Sequence, residues 1–477
     1  MNVVSNFLKK EVEKLEKKVF SNEYKKDKYR LNYHLMPPIG WLNDPNGLCY
    51  HNGTYNIFFQ YAPFDANGGL KFWGHYQTKD FIDYDYKGIA IYPDEKFDCH
   101  GVYSGSALVE EDNIYIYYTG NIKLSGDYNY INNGREANTV LVSYNKSKGY
   151  SHKKCLMEMK DYPKCITNHI RDPKVWKENE TYYMVQGVRR NTNPNHTGAV
   201  IIFTSKDKIY WEYSSTITHK EEFGYMWECP DLFELDGKKM LITCPQGVKR
   251  VESIYENLYL SGYFLIDKDY TKKEDIIVDN FTVLDCGFDF YAPQTFLDEN
   301  NDRVLIGWMG LPDVENEYKN DIVDWQHCLT IPRKLYIKNN KLYQEPYKRL
   351  EKLRENKISI SNIKDISSYE VIMNIKAPNN FRVIISEGLV LKYEENKFIL
   401  EFINSIGLGR TKRSCYLEKL ENIRIFVDTS SIEIFLNDGE KVFTTRFYPN
   451  KSSLEINGEV DFIIYELSNF NISSIHN

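Results

Sequence analysis

The pattern of apolar and polar positions changes once along the chain, near residue 33. Before that point apolar residues recur at helical spacing among lysines and glutamates: Leu8, Val12, Leu15 and Val19. This stripe predicts an amphipathic helix from residue 5 to about residue 28, packed on the main body of the protein. Beyond it, short strands alternate with turn residues, which predicts an all-β protein. The 38 tyrosines and 25 phenylalanines also favour strands.

A β-hairpin preceded by a short polar motif recurs five times before residue 346. The copies align on a proline, or on a glycine in the weakest copy: Pro45, Gly105, Pro173, Pro230 and Pro293. Their spacing of roughly 60 residues fits the blades of a propeller with generous loops. We therefore predict a five-bladed β-propeller over residues 33–346. Equivalent positions of all blades then converge on one central funnel.

The other boundaries follow from changes of composition and pattern. Residues 1–32 form the helical N-terminal extension, and the charged stretch 347–357 is predicted to be a linker. Alternating strands resume over residues 358–477, and their even spacing predicts a C-terminal β-sandwich. We expect an apolar seam between sandwich and propeller, and no chemistry in the sandwich.

Charge and composition exclude several classes of partner. The 60 basic and 67 acidic residues give a net charge of −7, which argues against nucleic acid or an anionic membrane as the main partner. The N-terminus reaches charged residues too early for a signal peptide, and no apolar run approaches the roughly 18 residues of a membrane span. We therefore expect a cytoplasmic protein. The nine cysteines lack the paired spacing of a disulfide framework or a zinc site.

Three acids occupy the repeated motif: Asp44, Asp172 and Glu228. A single Asp-Pro pair usually only caps a turn, but three acids converging on one funnel indicate a site. Glu228 stands two residues before its proline and the aspartates stand one before theirs, so we expect its carboxyl to be aimed differently. Retaining glycoside hydrolysis needs such a pair, one to attack and one to donate a proton, about 5–5.5 Å apart.

The protonation states of the three acids depend on their neighbours. Crowded carboxylates raise the pKa of at least one member by like-charge repulsion. We expect Arg171 to keep the adjacent Asp172 charged. Burial between Trp227 and Cys229 is expected to favour the protonated form of Glu228, as a catalytic acid requires.

Four ordered motifs carry a family resemblance: Trp41-Leu-Asn-Asp-Pro-Asn-Gly47, Tyr103-Ser-Gly-Ser106, Arg171-Asp-Pro173 and Trp227-Glu-Cys-Pro230. Together they resemble the motifs of glycoside hydrolase family 32, the invertases, inulinases and fructanases, from about His34 to the C-terminus. The resemblance implies a five-bladed propeller followed by a β-sandwich. It also implies that Asp44 is the nucleophile that forms a fructosyl-enzyme, that Asp172 stabilises the transition state, and that Glu228 is the acid/base.

The same resemblance implies a fructose subsite and no metal or organic cofactor. The implied subsite residues are Asn43, Gln60, Trp73, Ser104, Arg171, Asp289, Tyr291 and Trp308. For Trp73, a place in the core is an equal alternative. Tyr103 stands where the family often has phenylalanine, which puts a hydroxyl at the lip of the pocket.

The expected substrate is sucrose or sucrose 6-phosphate. The stretch from Tyr33 to Asp44 and the run Cys244-Pro-Gln-Gly247 look most like intracellular bacterial members of the family that act on the phosphorylated sugar. A phosphate needs cations at the pocket rim; the candidate pairs are Arg189-Arg190 and Lys249-Arg250, with solvated surface charge as the alternative. A fructosyltransferase, a fructan exohydrolase or a non-catalytic sugar-binding propeller stays open on this fold. The sequence also leaves open a homo-oligomer.

Overall fold

The computed structural model describes residues 2–20, 28–191, 196–312 and 324–474. Helix α1 spans Val3–Phe20, and the Asn2 side chain caps it by accepting a hydrogen bond from the Ser5 amide at 3.0 Å. The helix packs on the main body as predicted, because its buried Glu16 accepts a hydrogen bond from Tyr61 at 3.1 Å. Residues 21–27 of the predicted helix lie outside the described residues. Within these ranges, no helix is both long and apolar enough to cross a membrane.

The rest of the described chain is almost entirely β-structure. The first strands are β1 (Gly40–His51), β2 (Thr54–Ala62), β3 (Phe72–Thr78), β4 (Asp83–Ile91), β5 (Val102–Glu110), β6 (Asn113–Lys123), β7 (Arg135–Asn145), β8 (Gly149–Tyr150) and β9 (Lys154–Met157). Next come β10 (Ile166–Glu178), β11 (Thr181–Asn191), β12 (His196–Ser205), β13 (Glu212–His219), β14 (Met226–Leu235), β15 (Lys238–Gln246), β16 (Gly262–Ile266), β17 (Ile276–Val278) and β18 (Thr282–Val283). Then follow β19 (Tyr291–Leu297), β20 (Arg303–Met309), β21 (Trp325–Gln326), β22 (Cys328–Leu329), β23 (Arg333–Lys338) and β24 (Lys341–Pro346).

The C-terminal part continues with more strands. These are β25 (Arg354–Ile358), β26 (Tyr369–Ile385), β27 (Leu389–Glu394), β28 (Lys397–Phe402), β29 (Lys412–Tyr416), β30 (Asn422–Asp428), β31 (Ser431–Leu436), β32 (Lys441–Arg446), β33 (Leu454–Leu467) and β34 (Asn471–Ser474). Single 3₁₀ turns cover Met159–Asp161, Tyr270–Lys272, Ser405–Gly407 and Asn437–Gly439, and longer 3₁₀ segments cover Lys348–Leu353 and Ile360–Asp365.

The strands form sheets in a propeller-like arrangement, followed by a sandwich-like C-terminal sheet. The smaller sheets run β21-β1-β2-β3-β4-β34, then β5 to β9, β10-β11-β12-β13-β17, β14-β15-β16-β18, and β19-β20-β23-β24 with β22 on β20. Strands β25 to β33 form the nine-stranded C-terminal sheet. The opening strands of neighbouring smaller sheets touch: β1 contacts β5, β5 contacts β10, β10 contacts β14, β14 contacts β19, and β19 contacts β1. Five blades stay a prediction at this point.

Each predicted hairpin is present, and each opening strand is irregular at its polar motif. Register shifts lie between Leu42 and Pro45, Tyr103 and Gly105, Arg171 and Lys174, Glu228 and Asp231, and Tyr291 and Gln294. In three of these strands the residue before the proline is left-handed, with φ of 63° at Asp172, 49° at Cys229 and 48° at Ala292. Such a backbone is costly for a residue with a side chain and is found where it re-aims groups at functional sites.

The seam between the smaller sheets and the C-terminal sheet is partly apolar, as expected. One continuous core cluster includes Tyr347 and Leu353 together with Phe426 and Phe435 of the C-terminal sheet. The stretch predicted as a linker is ordered, because Leu350 and Leu353 of its 3₁₀ segment are buried while its charged residues point outward. Strand β25 then pairs with β33.

The seam also holds buried ion pairs, so the prediction of an apolar seam was wrong in this respect. Arg333 pairs with Glu433 at 2.6 Å and with Asp285 at 3.2 Å. His34 lies between Asp428 at 2.9 Å and Glu433 at 3.1 Å. These partners are far apart in sequence, and each charge is tolerated in the interior because it faces an opposite charge.

Candidate active site

A cavity of about 1330 Å³ opens where the opening strands converge. Its lining includes nine of the residues proposed from the sequence: Asn43, Asp44, Gln60, Ser104, Arg171, Asp172, Glu228, Tyr291 and Trp308. They come from five different sheets. The repeated motif therefore brings together residues that are distant in sequence.

Asp44 lies in the irregular segment of β1 and is oriented by two neighbours. Ser104 donates a hydrogen bond from its hydroxyl to Oδ2, and the Asn43 amide donates to Oδ1 at 3.0 Å. Asn43 is itself held by the Trp41 indole at 2.9 Å and by the Gln60 carbonyl. Burial raises the pKa of Asp44, while the hydrogen bonds from Ser104 and Asn43 lower it. Both carboxylate oxygens are therefore fixed in direction.

Asp172 lies next to Asp44 across the thiol of Cys229. The Cys229 amide donates to Oδ2 of Asp172 at 3.0 Å. Its sulfur lies 3.5 Å from Asp44 Oδ2 and 3.6 Å from Asp172 Oδ2. Burial raises the pKa of Asp172, and the negative charges of Glu228 and Asp44 raise it further, against an opposing effect of Arg171. The three acids thus lie within electrostatic reach of one another, as the sequence predicted.

Glu228 is held by donors on both of its oxygens. Arg171 donates to Oε1 from Nε at 2.8 Å and from Nη2 at 2.7 Å. Gln246 and Tyr291 donate to Oε2 at 2.6 Å and 2.7 Å. Arg171 thus forms its ion pair with Glu228, while its charge also lowers the pKa of Asp172, as expected, against the larger effect of burial. A left-handed residue follows each member of this group, namely Arg171, Glu228 and Tyr291. The three side chains therefore lie side by side on neighbouring strands.

Two residues proposed for the fructose subsite do not line the cavity. Trp73 has no exposed surface and packs against Phe58 and Tyr118 in the core behind β5. Its indole donates to the Tyr103 carbonyl at 3.1 Å, so it supports the motif strand from behind. The alternative of a core position for Trp73 is the one that the structure supports.

Asp289 is the second residue that was predicted for the fructose subsite and does not line the cavity. It is fully buried at the seam, where Arg410 donates to its two oxygens at 2.8 and 3.0 Å. Thr445 and the amide of Arg446 also donate to it. Thr445 and Arg446 belong to β32 of the C-terminal sheet and Arg410 to the loop before β29, which no local pattern around residue 289 reveals.

Several cavity residues were not singled out from the sequence. Gln246 ends a repeated hairpin and lies in the run Cys244-Pro-Gln-Gly247, but no role in the site was predicted for it. Lys71 lies over the Trp41 ring at 5.1 Å, and burial lowers the pKa of Lys71 to about 7 although the charge of Asp44 opposes this. Lys123 and Arg135 line the cavity from β6 and β7. Of the pairs proposed for phosphate, only Arg189 is in the lining.

Comparison with known proteins supports a glycoside hydrolase site. The chain matches the family model "Glycosyl hydrolases family 32 N-terminal domain" over residues 34–346 and the model "Glycosyl hydrolases family 32 C terminal" over residues 395–466. It is 40% identical to a sucrose-6-phosphate hydrolase of Staphylococcus xylosus, over 93% of this chain and 91% of the relative. It is 37% identical to that of Bacillus subtilis, over 90% and 91%.

Solved structures give the same result. A sucrose-6-phosphate hydrolase from Lactobacillus gasseri superposes with a TM-score of 0.85 at 28% identity, covering 96% of each chain. A variant of the Bombyx mori β-fructofuranosidase in complex with sucrose superposes with a TM-score of 0.83 at 27% identity, covering 99% of this chain and 100% of the other.

Three carboxylates held by separate sets of donors in one cavity, at the convergence of propeller-like sheets, define a glycoside hydrolase. The family models cover most of the chain, and relatives of 37% and 40% identity match nearly its full length. The chain belongs to glycoside hydrolase family 32.

Proposed function

We propose that this protein hydrolyses the β-fructofuranosidic bond of sucrose 6-phosphate and of sucrose with retention, through a covalent fructosyl-enzyme. The observation that carries the proposal is the pair Asp44 and Glu228, two carboxyls in one cavity with different hydrogen-bond environments. The relatives named sucrose-6-phosphate hydrolases support the choice of substrate.

In the first half of the reaction Asp44 attacks the anomeric carbon of the fructosyl unit, and Glu228 gives its proton to the departing sugar oxygen. The hydrogen bonds from Ser104 and Asn43 orient the nucleophile, so that little reorganisation is needed at the moment of attack. In the second half Glu228 takes a proton from water, and that water releases fructose from Asp44.

Asp172 is the third acid in this scheme, placed to bind fructose hydroxyls. The Cys229 thiol contacts both Asp172 and Asp44, which places Asp172 beside the nucleophile. The remaining fructose contacts are proposed to come from cavity-lining residues: Asn43, Gln60, Ser104, Arg171, Tyr291 and Trp308. Trp73 and Asp289 are left out of the subsite because neither lines the cavity.

We also propose that the five smaller sheets are the five blades of one propeller over residues 33–346. The closed series of contacts between their opening strands supports this count. The helical extension 1–32, the connecting segment 347–357 and the sandwich 358–477 complete the proposed domains. Because sugar phosphates are made inside cells, we propose a cytoplasmic location.

The test of the proposed function is to assay the purified protein on sucrose, sucrose 6-phosphate and inulin, with glucose and fructose measured separately. Asp44→Ala is expected to abolish turnover, since a methyl group cannot form the ester. Asp302→Ala, which removes a carboxylate paired with Lys334 outside the cavity, is the control and should leave turnover intact. Activity of Asp44→Ala within tenfold of wild type would remove Asp44 from the nucleophile role.

The same assay separates the rival activities. A hydrolase releases glucose and fructose from sucrose in equal amounts, whereas a fructosyltransferase leaves fructose short of glucose. Preference for inulin over both sucrose forms would favour a fructan exohydrolase. A folded protein that binds these sugars without releasing products would favour a non-catalytic propeller.

A further inference from the structure

The charge on the cavity wall is unevenly distributed. Its carboxylates within the described residues are the three acids of the site, and its cations are Lys71, Lys123, Arg135, Arg171 and Arg189. Arg171 pairs with Glu228, and Lys71 is attracted by Asp44. Within the described chain, Lys123, Arg135 and Arg189 have no carboxylate at ion-pair distance. One wall therefore carries three cations without a counter-charge.

The arrangement of these three cations is unfavourable without a ligand. Lys123 and Arg135 are directly opposite each other in the β6–β7 ladder, and like charges at such positions destabilise a sheet. Burial lowers the pKa of Lys123, and the charge of Arg135 lowers it further. Arg135 and Arg189 both line the cavity. An anion bound there would offset the repulsion among these cations.

Neighbouring side chains hold this wall in place. His169 accepts a hydrogen bond from Arg171 at Nδ1 (3.3 Å) and donates from Nε2 to the Tyr130 carbonyl (3.1 Å). Burial and then the charges of Arg171, Arg135 and Arg189 lower the pKa of His169 to about 3, so the imidazole is neutral. Both of its nitrogens are engaged, which makes it a spacer between the cations rather than a ligand.

The wall lies on the side of the cavity where the leaving group must be. Glu228 has to reach the oxygen of the departing sugar, so that sugar lies beyond Glu228 as seen from Asp44. Gln246, which holds Glu228, accepts a backbone hydrogen bond from Tyr225 at 2.8 Å, and the Tyr225 ring lies 4.9 Å from the Arg189 guanidinium. Arg189 is therefore linked to the acid/base through Gln246 and Tyr225, and Arg135 lies within electrostatic reach of Glu228.

We propose that Lys123, Arg135 and Arg189 form a phosphate site for the leaving sugar, and that they bind its 6-phosphate while fructose occupies the inner subsite. This inference rests on the proposed function. A phosphate carries a charge near −2 and three acceptor oxygens, which suit two arginines and one lysine. The sequence named two candidate pairs for the phosphate, and only Arg189 of these four residues lines the cavity. The proposed site therefore keeps Arg189 and replaces the other candidates by Lys123 and Arg135.

The kinetic test compares Arg135→Ala and Arg189→Ala with Arg190→Ala. Arg190 neighbours Arg189 on β11 but lies outside the cavity. Its replacement by alanine therefore removes the same charge and serves as the matched control. For each of the first two variants, the ratio of kcat/KM on sucrose 6-phosphate to kcat/KM on sucrose is expected to fall about 10- to 100-fold, the range for losing a charged hydrogen bond. The ratio should stay unchanged in Arg190→Ala. An unchanged ratio in both test variants, or an equal fall in the control, would overturn the site.

A binding experiment separates failure of this site from failure of the proposed function. Calorimetry measures glucose 6-phosphate and glucose binding to the full-length protein, with no turnover required. Wild-type binding of glucose 6-phosphate that Arg189→Ala loses would support the phosphate site even if no sugar were hydrolysed. Equal affinity of wild type for glucose and glucose 6-phosphate would overturn the site even in an active enzyme.

Discussion

Replacing Asp289 by alanine separates the role suggested by its sequence context from the role given by the structure. The change removes both acceptors of Arg410, and it also removes the acceptor of Thr445 and of the Arg446 amide. The Arg410 guanidinium then remains buried and loses the carboxylate of Asp289. Breaking a buried ion pair in this way costs about 3–5 kcal/mol. We therefore expect a loss of stability and only a small change in sugar affinity.

The expected shift in Tm follows from the size of the chain. Unfolding entropy is about 2.1 cal/mol/K per residue, and for 477 residues this gives about 1 kcal/mol/K. A loss of about 3–5 kcal/mol thus lowers Tm by about 3–5 °C in a circular dichroism melt. Arg410→Ala should give a similar fall. The pair Asp289→Leu with Arg410→Met should recover part of it, because neither charge is then left alone.

The steady-state KM for sucrose is the deciding measurement. If Asp289 anchors the seam, KM stays within about threefold of wild type at temperatures well below Tm. A Tm within 1 °C of wild type together with a KM raised tenfold or more would refute this reasoning and return Asp289 to the fructose subsite.

Three further changes test other parts of the structure. Glu228→Gln should slow sucrose hydrolysis about 10²–10⁴-fold but affect far less a fructoside whose leaving group needs no proton; equal losses would contradict the acid role. Burial lowers the pKa of His34, but hydrogen bonds to Asp428 and Glu433 outweigh this and raise it. The stabilisation from the charged imidazole should thus be complete below about pH 6.5 and be lost as pH rises through the raised pKa, a dependence of Tm on pH that His34→Gln should flatten. A chain ending at Lys357 should aggregate, as light scattering would show, and a soluble, active truncation would contradict the shared core.

The parts of the fold and site that could be predicted from the sequence are those that repeat locally. The motif prolines predicted the hairpins, and the acids beside them predicted a shared cavity. The pairing of Arg171 with Glu228 could not be predicted, because it depends on how far the left-handed Asp172 and Cys229 turn each strand. Neither the distance of a residue from the motif proline nor its type predicts how far the strand turns.

Contacts between segments that are far apart in the sequence could not be predicted either. Asp289 stands two residues before Tyr291, so its motif suggests the cavity, yet its partner Arg410 is in the loop before β29, in the C-terminal part of the chain. Likewise, the opposition of Lys123 and Arg135 depends on the register of β6 and β7 across an irregular loop. Buried ion pairs at the seam were missed for the same reason.

The first sheet is completed by the last strand of the chain, because β34 pairs in parallel with β4. Strand β21, which arrives much later than β1, closes its other side. A growing chain on the ribosome therefore exposes the β1 edge of its earliest sheet until β21 has emerged, and the β4 edge until β34 has emerged. Unpaired edges are templates for pairing with other chains, and larger proteins are most prone to aggregation in such partly folded states. Deletion of residues 471–474 should thus lower the yield of folded protein during expression more than it lowers the stability of molecules already folded.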